Sequence, residues 1–137
     1  MINRILQTLG GFVIIIASLF WLGMMTQYEA SETNVSEPAA VVGMTNSLKF
    51  DPDTVRIKVG ETVRWKNSSL LVHSVTGDPT KETKESSVSL PDGAKPFDSG
   101  LMDPEQTFEH TFTVAGTYQY FCIPHEAMMT GVVIVEE

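Results

Sequence analysis

The sequence predicts an all-β domain, a sandwich of two sheets, preceded by one N-terminal transmembrane helix. Apolar and polar residues alternate through most of residues 42–137, and Gly, Pro, Asn and Asp recur there about every eight to twelve residues. This pattern predicts about seven short strands, which need a second sheet because a single sheet cannot bury its apolar face. A chain of 137 residues has room for one such domain and one extra segment.

The predicted transmembrane helix lies in residues 1–28. Residues 5–28 carry no charged side chain, whereas Arg4 precedes them and all 17 acidic residues follow from Glu29 onward. At about 1.5 Å per residue this stretch extends roughly 36 Å as a helix, enough to cross an apolar bilayer core of about 30 Å. A cleaved secretory signal is the alternative, although the sequence around residue 29 fits a small-x-small cleavage site poorly. In either case we expect Arg4 to stay inside and the acidic remainder to be exported.

Residues 29–41 are predicted to form a flexible acidic stalk. They are rich in Glu, Ser, Ala and Pro and contain little to bury. Residues 42–137 would then form the folded domain.

Charge and cysteine content exclude several classes of protein. The net charge of −8 repels nucleic-acid phosphate, so no nucleic-acid partner is expected, whereas a basic protein partner would be attracted. The single cysteine excludes an intramolecular disulfide and a four-thiolate iron–sulfur cluster. The three histidines are too few for a multicopper oxidase.

Alternation and turn residues define the predicted strands. In chain order they are 42–50, 54–59, 62–67, 72–76, 107–114, 117–122 and 131–135. The interval 77–103 is polar and contains three prolines, so we expect a long excursion with one short strand at most.

The strand 117–122 directs a thiol toward the core. Alternation places Cys122 on the same face as Tyr118 and Tyr120, so the thiol is buried if the tyrosines are. Phe121 falls on the opposite face of the strand, where its ring is expected to be exposed.

The residues after this strand complete a set of metal ligands. His125, Met128 and Met129 follow Cys122 in one tight connection, and His73 lies on the alternating run 72–76. One thiolate, two imidazoles and a weak axial thioether form the ligand set of electron-transfer copper. The sequence therefore predicts a copper site, with either Met128 or Met129 as the fourth ligand.

Several ordered motifs extend through the domain. They are GETVRWKN at 60–67, HSV at 73–75, FDSG at 97–100, GTYQYFCIPH at 116–125 and the Met-Thr-Gly sequence at 129–131. With these motifs the chain resembles the cupredoxins, the small blue copper proteins of plastocyanin and amicyanin type. The resemblance implies a cupredoxin-like Greek-key sandwich that binds one type 1 copper ion. It makes His73, Cys122 and His125 the equatorial ligands and favours Met129 as the axial one. It also marks Ser74 as a departure, because Asn often follows the first histidine in this family.

The resemblance further implies electron transfer by copper cycling between Cu(I) and Cu(II), and an exposed Phe121 ring would offer a second, lateral route for the electrons. The expected partners are redox proteins, membrane-bound in view of the predicted anchor, on the periplasmic or extracytoplasmic side. Leu70, Leu71, Pro124, Ala127 and Met128 would form an apolar patch around His125 for docking. No enzymatic activity and no small-molecule substrate are expected. A copper storage or delivery module is the alternative function. His110 is predicted to be structural.

Overall fold

The computed structural model describes residues 36–137, which form two β-sheets packed face to face. The predicted transmembrane helix at 1–28 and most of the predicted stalk lie outside the described residues. Within residues 36–137 no helix is long and apolar enough to cross a membrane.

Nine strands, numbered in chain order, make up the two sheets. The four-stranded sheet has the order β2-β1-β4-β7 and contains β1 (Ala40–Met44), β2 (Phe50–Asp51), β4 (Thr62–Asn67) and β7 (Thr107–Thr111). The five-stranded sheet has the order β3-β9-β8-β5-β6 and contains β3 (Thr54–Lys58), β5 (Thr76–Gly77), β6 (Phe97–Asp98), β8 (Gly116–Phe121) and β9 (Thr130–Glu136). The pairs β1–β4 and β3–β9 are parallel, and the others are antiparallel. The predicted all-β, two-sheet fold is confirmed.

The core lies between the sheets, as period-two alternation requires. In β4 the side chains of Val63, Trp65 and Asn67 are buried, whereas their neighbours are only partly covered. Trp65 has no exposed surface, and its indole Nε1 donates a 3.0 Å hydrogen bond to the hydroxyl of Tyr120 on β8. Because this bond joins one sheet to the other, the orientation of β8 is fixed relative to β4.

Aromatic rings surround Trp65. Its ring centroid lies 5.4 Å from that of Tyr120, 5.8 Å from Phe108 and 6.2 Å from Phe97. His110 stacks on Phe97 at 4.6 Å, and burial lowers the pKa of its imidazole. His110 therefore belongs to this aromatic packing and is absent from the ligand cluster described below.

Several predicted strand bounds differ from the structure, and contacts with neighbouring segments explain three of the differences. β1 begins at Ala40, inside the predicted stalk, because Ala40 pairs with Val63 of β4. The predicted strand 42–50 is divided into β1 and β2 by a turn in which the Thr45 N–H donates to the Lys49 carbonyl at 3.0 Å. The predicted strand 72–76 is replaced by an isolated bridge at His73 and the two-residue β5.

The polar excursion between β5 and β6 contains one short 3₁₀ turn, Pro79–Lys81. Ser89 forms an isolated antiparallel bridge with Gln119, so this excursion lies beside β8. Phe121 is fully buried, which contradicts its predicted role as an exposed lateral route for electrons. The alternation correctly places Phe121 on the face of β8 that points away from the core. It cannot show that other residues of the domain cover this outer face as well.

Gly131 offers a test of the packing between β8 and β9. A Cβ at this position would lie 2.4 Å from the ring of Tyr120, which Trp65 holds in place. We expect Gly131→Ala to lower the free energy of unfolding by about 2 kcal/mol, because an overpacked core cannot relax freely. Urea unfolding of the protein without added metal measures this change.

Gly43→Ala is the matched control, since a Cβ there would make an ordinary 3.5 Å contact with the Asp51 carbonyl. Its effect should stay within about 0.5 kcal/mol. Equal stabilities of the two variants would contradict the packing argument.

Candidate metal centre

Three potential ligand atoms meet at one end of the sandwich. The Sγ of Cys122 lies 3.6 Å from Nδ1 of His73 and 3.5 Å from Nδ1 of His125. All three atoms lie within 4.8 Å of one another. Cys122 and His73 have no exposed surface, whereas His125 is half-buried. The structure therefore brings together the three residues that the sequence predicts as equatorial ligands.

The spacing of these atoms fits a metal ion. Typical metal distances of about 2.0–2.1 Å to nitrogen and about 2.3 Å to thiolate sulfur correspond to N···S separations of roughly 3.7–3.8 Å in a trigonal plane, and a small movement of the rings reaches them from the observed geometry. The two observed N···S distances are 3.6 and 3.5 Å. A thiolate with two imidazoles is the donor set of trigonal copper sites.

The His73 ring turns its Nδ1 toward the sulfur of Cys122. Its Nε2 is the one buried side-chain nitrogen or oxygen atom in residues 36–137 that lacks a hydrogen-bond partner. Burial lowers the pKa of the His73 imidazole most, the charge of His125 lowers it further, and the nearby Thr45 backbone raises it only weakly. Since metal binding requires a neutral imidazole, the lowered pKa favours a ligand role.

The backbone around His73 is fixed from two directions. The His73 N–H donates to the Met102 carbonyl at 3.2 Å, and the Met102 N–H donates to the His73 carbonyl at 2.7 Å. The buried Asn67 amide shapes the loop before His73, because it donates to the carbonyls of Leu71 at 2.8 Å and Met102 at 3.0 Å. Its oxygen accepts from the backbone N–H and the hydroxyl of Ser69. The sequence pattern predicts Asn67 only as the end of a strand and the start of a turn.

Ser74 connects the two segments that carry the ligands. Its backbone N–H donates to Cys122 Sγ at 3.3 Å, and its hydroxyl accepts a 2.8 Å hydrogen bond from the Ile123 N–H. Burial raises the pKa of the Cys122 thiol, and the N–H groups of Ser74 and His125 act against that rise. Although Ser is shorter than the Asn often found here, its hydroxyl still reaches the second ligand loop.

The Ser74 hydroxyl continues into a hydrogen-bonded chain. Its Oγ lies 3.1 Å from Thr76 Oγ1, and the Thr76 hydroxyl donates to an Asp98 carboxylate oxygen at 2.8 Å. Lys81 forms an ion pair with the other oxygen of that carboxylate. Burial raises the pKa of Asp98, but the hydrogen bonds from Lys81 and Thr76 outweigh it and keep the carboxyl ionised.

The connection from Cys122 to Met129, here called the ligand loop, is closed by its own backbone. The Cys122 N–H donates to the Met129 carbonyl at 3.0 Å, and the His125 N–H donates to the Cys122 carbonyl at 3.0 Å. The His125 carbonyl accepts from the N–H groups of Met128 and Met129. Burial distinguishes the two methionines: Met129 has no exposed surface, and Met128 is 67 % exposed.

Glu126 ties the ligand loop to the polar excursion, a contact that the sequence does not predict. Its carboxylate accepts hydrogen bonds from the backbone N–H groups of Thr83 and Lys84 and from the hydroxyls of Thr83 and Ser87. The side-chain bond from Thr83 is the largest of the causes that lower the pKa of Glu126 to about 2. No sequence signal reveals this contact, because an isolated Glu after a histidine is usually a solvated side chain.

Exposed apolar side chains occupy the loops that carry the histidines. We call this set the apolar rim. Its members are Leu70, Leu71, Pro124, Ala127 and Met128. Leu70 is 84 % exposed, so the rim is accessible to another protein.

Comparisons with known proteins agree with the geometry. The sequence profile of the family described as "Copper binding proteins, plastocyanin/azurin family" matches residues 38–136. Amicyanin of Paracoccus versutus is 38% identical over 103 residues, which cover 75% of this chain and 69% of the relative. Plastocyanin of Scenedesmus fuscus is 34% identical over 97 residues, which cover 67% of this chain and 91% of the relative. Halocyanin of Natronomonas pharaonis is 39% identical over 109 residues, which cover 77% of this chain and 60% of the relative.

Solved structures show the same likeness. The reduced form of a tryptophan-to-tyrosine variant of amicyanin superposes with a TM-score of 0.59 at 32% identity, covering 74% of this chain and 86% of that chain. With the donor set of His73, Cys122 and His125, these matches assign the site to one copper ion. The chain belongs to the plastocyanin/azurin family of copper-binding proteins, the cupredoxins.

Proposed function

We propose that this protein carries single electrons between redox proteins through one type 1 copper ion. The convergence of a buried thiol and two imidazole nitrogens within 4.8 Å carries the proposal. Copper in such a site supplies a one-electron couple between Cu(I) and Cu(II). The names of the relatives, amicyanin, plastocyanin and halocyanin, support membership of the same class of electron carriers.

The chain itself supplies a rigid set of donors. Cys122 follows the end of β8, which pairs with β9 along six residues, and His73 is held by two backbone hydrogen bonds to Met102. Because these anchors lie in the sandwich, the donor atoms move little when the charge of the site changes. Small rearrangement favours fast electron exchange.

We infer that His73, Cys122 and His125 are the equatorial ligands and that Met129 is the axial ligand. Met129, the last residue of the ligand loop, is buried in the core, whereas Met128 is largely exposed. A thioether that binds the same ion as the buried His73 and Cys122 has to be buried with them. Burial therefore supports Met129 over Met128.

Electrons would enter and leave through His125, the one equatorial ligand that is not fully buried. The apolar rim beside it suits a weak, short-lived complex with a redox protein, because apolar contact is easily formed and broken. The net charge of −8 would favour a basic docking face on that protein.

We further propose a membrane-bound carrier with the copper domain on the periplasmic or extracytoplasmic side. The uncharged segment 5–28, the position of Arg4 before it and the acidic residues after it support this location. A tether raises the effective concentration of the domain near membrane-bound partners.

Copper-loaded residues 31–137 should show an intense visible band from thiolate-to-copper charge transfer. Cys122→Ser should abolish this band, because a hydroxyl cannot replace the thiolate donor. Absorption and electron paramagnetic resonance spectra measure the result. Retention of the visible band in Cys122→Ser would contradict the proposed site.

Slow loss of copper to an external chelator is expected for wild type, because the site is buried and rigid. Rapid release of copper to the chelator would instead favour storage or delivery.

Met129→Leu and Met128→Leu separate the two candidate axial ligands. Loss of the axial sulfur leaves Cu(II) with one donor fewer, so Met129→Leu should raise the reduction potential and change the visible spectrum. Met128→Leu should leave both unchanged, and Met128→Lys should slow electron transfer to a physiological partner by disrupting the apolar rim. Cyclic voltammetry and stopped-flow kinetics measure these effects. A raised reduction potential in Met128→Leu, together with an unchanged potential in Met129→Leu, would overturn the choice of Met129.

Deletion of residues 1–30 tests the proposed tether. Electron delivery in intact membranes should fall by about tenfold or more, because the effective concentration near the partner is lost. The potential of the copper site should not change. Unchanged delivery by the truncated protein at equal expression would rule out a role for the anchor.

A further inference from the structure

The carboxylate of Glu126 is held by four hydrogen-bond donors from one short segment, residues 83–87. The N–H of Lys84 donates to Oε1 at 2.9 Å, and the Ser87 hydroxyl donates to the same oxygen at 2.8 Å. The Thr83 N–H donates at 2.9 Å to Oε1, while the Thr83 hydroxyl donates to Oε2. Bonds to an ionised carboxylate are stronger than those between neutral groups.

These bonds form the main side-chain attachment of the ligand loop to the rest of the domain. Within residues 123–128, the Glu126 side chain is the one that hydrogen-bonds to a segment outside the ligand loop in the described part of the chain. The other external bond is a backbone one, from the Ile123 N–H to Ser74. The sulfur of Cys122, at the start of the loop, contacts the Ser74 N–H and His73 Nδ1, and the remaining bonds of the loop are internal.

Position in the chain links this attachment to the metal site. Glu126 directly follows His125, and its backbone has the right-handed helical angles φ −49 and ψ −33. Adjacent Cα atoms are about 3.8 Å apart, so fixing Glu126 restricts where the His125 ring can lie. His125 is also the ligand with the least burial, and its own segment offers little packing to hold it.

We propose that Glu126 is a positioning residue, an inference that rests on the proposed copper site. Residues 83–87 hold its carboxylate by hydrogen bonds and so keep His125 in ligand geometry even without the metal. We call this contact the strap: the hydrogen bonds from Thr83, Lys84 and Ser87 to the Glu126 carboxylate, which hold the ligand loop from outside. Removing the strap frees His125 to leave the position 3.5 Å from Cys122.

The first test uses the copper-free full chain in detergent micelles. Glu126→Gln turns an acceptor oxygen into an NH₂ group that faces backbone N–H donors, so the strap should open. Hydrogen exchange of the His125 and Met129 amides, followed by mass spectrometry, should accelerate by about tenfold or more, because their bonds lie within the loop. Exchange in β4 should stay unchanged, which shows that the domain is still folded.

Glu85→Gln is the matched control. Glu85 lies in the same segment and is exposed, and its substitution removes the same charge, but it makes no hydrogen bond to the ligand loop. The exchange rates of this variant should equal those of wild type. Equal acceleration in both variants would show a general charge effect and overturn the proposal.

A double-mutant cycle with Ser87→Ala tests the contact itself. Ser87→Ala removes one donor from the other side and should produce a smaller acceleration in the same amides. The effect of Glu126→Gln should be smaller in the Ser87→Ala background than in wild type, since the two groups interact. Fully additive effects would contradict the strap.

The visible spectrum and the reduction potential of the copper-loaded chain separate a positioning role from a purely structural one, because a purely structural role would leave both unchanged. Glu126→Gln should change the charge-transfer spectrum and the reduction potential, whereas Glu85→Gln should not. An unchanged spectrum and potential in Glu126→Gln would overturn the positioning role. Failure of wild type to develop the visible band would instead refute the proposed function. The hydrogen-exchange rates of the copper-free chain would still test whether residues 83–87 hold Glu126 in place.

Discussion

Ser74 is the residue on which the geometry of the site depends. It belongs to the segment of His73, yet it gives its N–H to the sulfur of Cys122 and accepts the N–H of Ile123, 48 and 49 residues away in the sequence. Both bonds are buried wholly or in part, so water does not compete with them effectively. They link two loops that are distant in the chain at the point where their ligands meet.

The sandwich turns this local link into a rigid site. The Trp65–Tyr120 hydrogen bond joins the two sheets, and Tyr120 lies on β8 two residues before Cys122, which follows the end of that strand. A displacement of the thiol would therefore disturb the aromatic packing around Trp65. The site is stiff because its ligands are extensions of a close-packed core, and a stiff site suits one-electron chemistry.

Local pattern is sufficient to predict much of this arrangement. Alternation predicts the two-sheet fold and the bounds of β4, and it places Cys122 with the buried tyrosines. The spacing of Cys122, His125 and the methionines by itself indicates soft-metal chemistry. Features set by contacts between distant segments are not predictable in this way: the early start of β1, the burial of Phe121 and the grip on Glu126. Each depends on what lies against the residue in space, and one sequence contains no record of that. Met128 and Met129 both fit the spacing; the resemblance favours Met129, and the burial of Met129 supports the same choice independently.

The burial of Cys122 has a consequence for the chain before it acquires copper. Its thiol has no exposed surface, and burial raises its pKa. A protonated, inaccessible thiol is a poor nucleophile and a poor target for oxidation to sulfenic acid or for mixed-disulfide formation. In an oxidising compartment the newly folded protein would thus keep its only sulfhydryl group intact until the metal arrives.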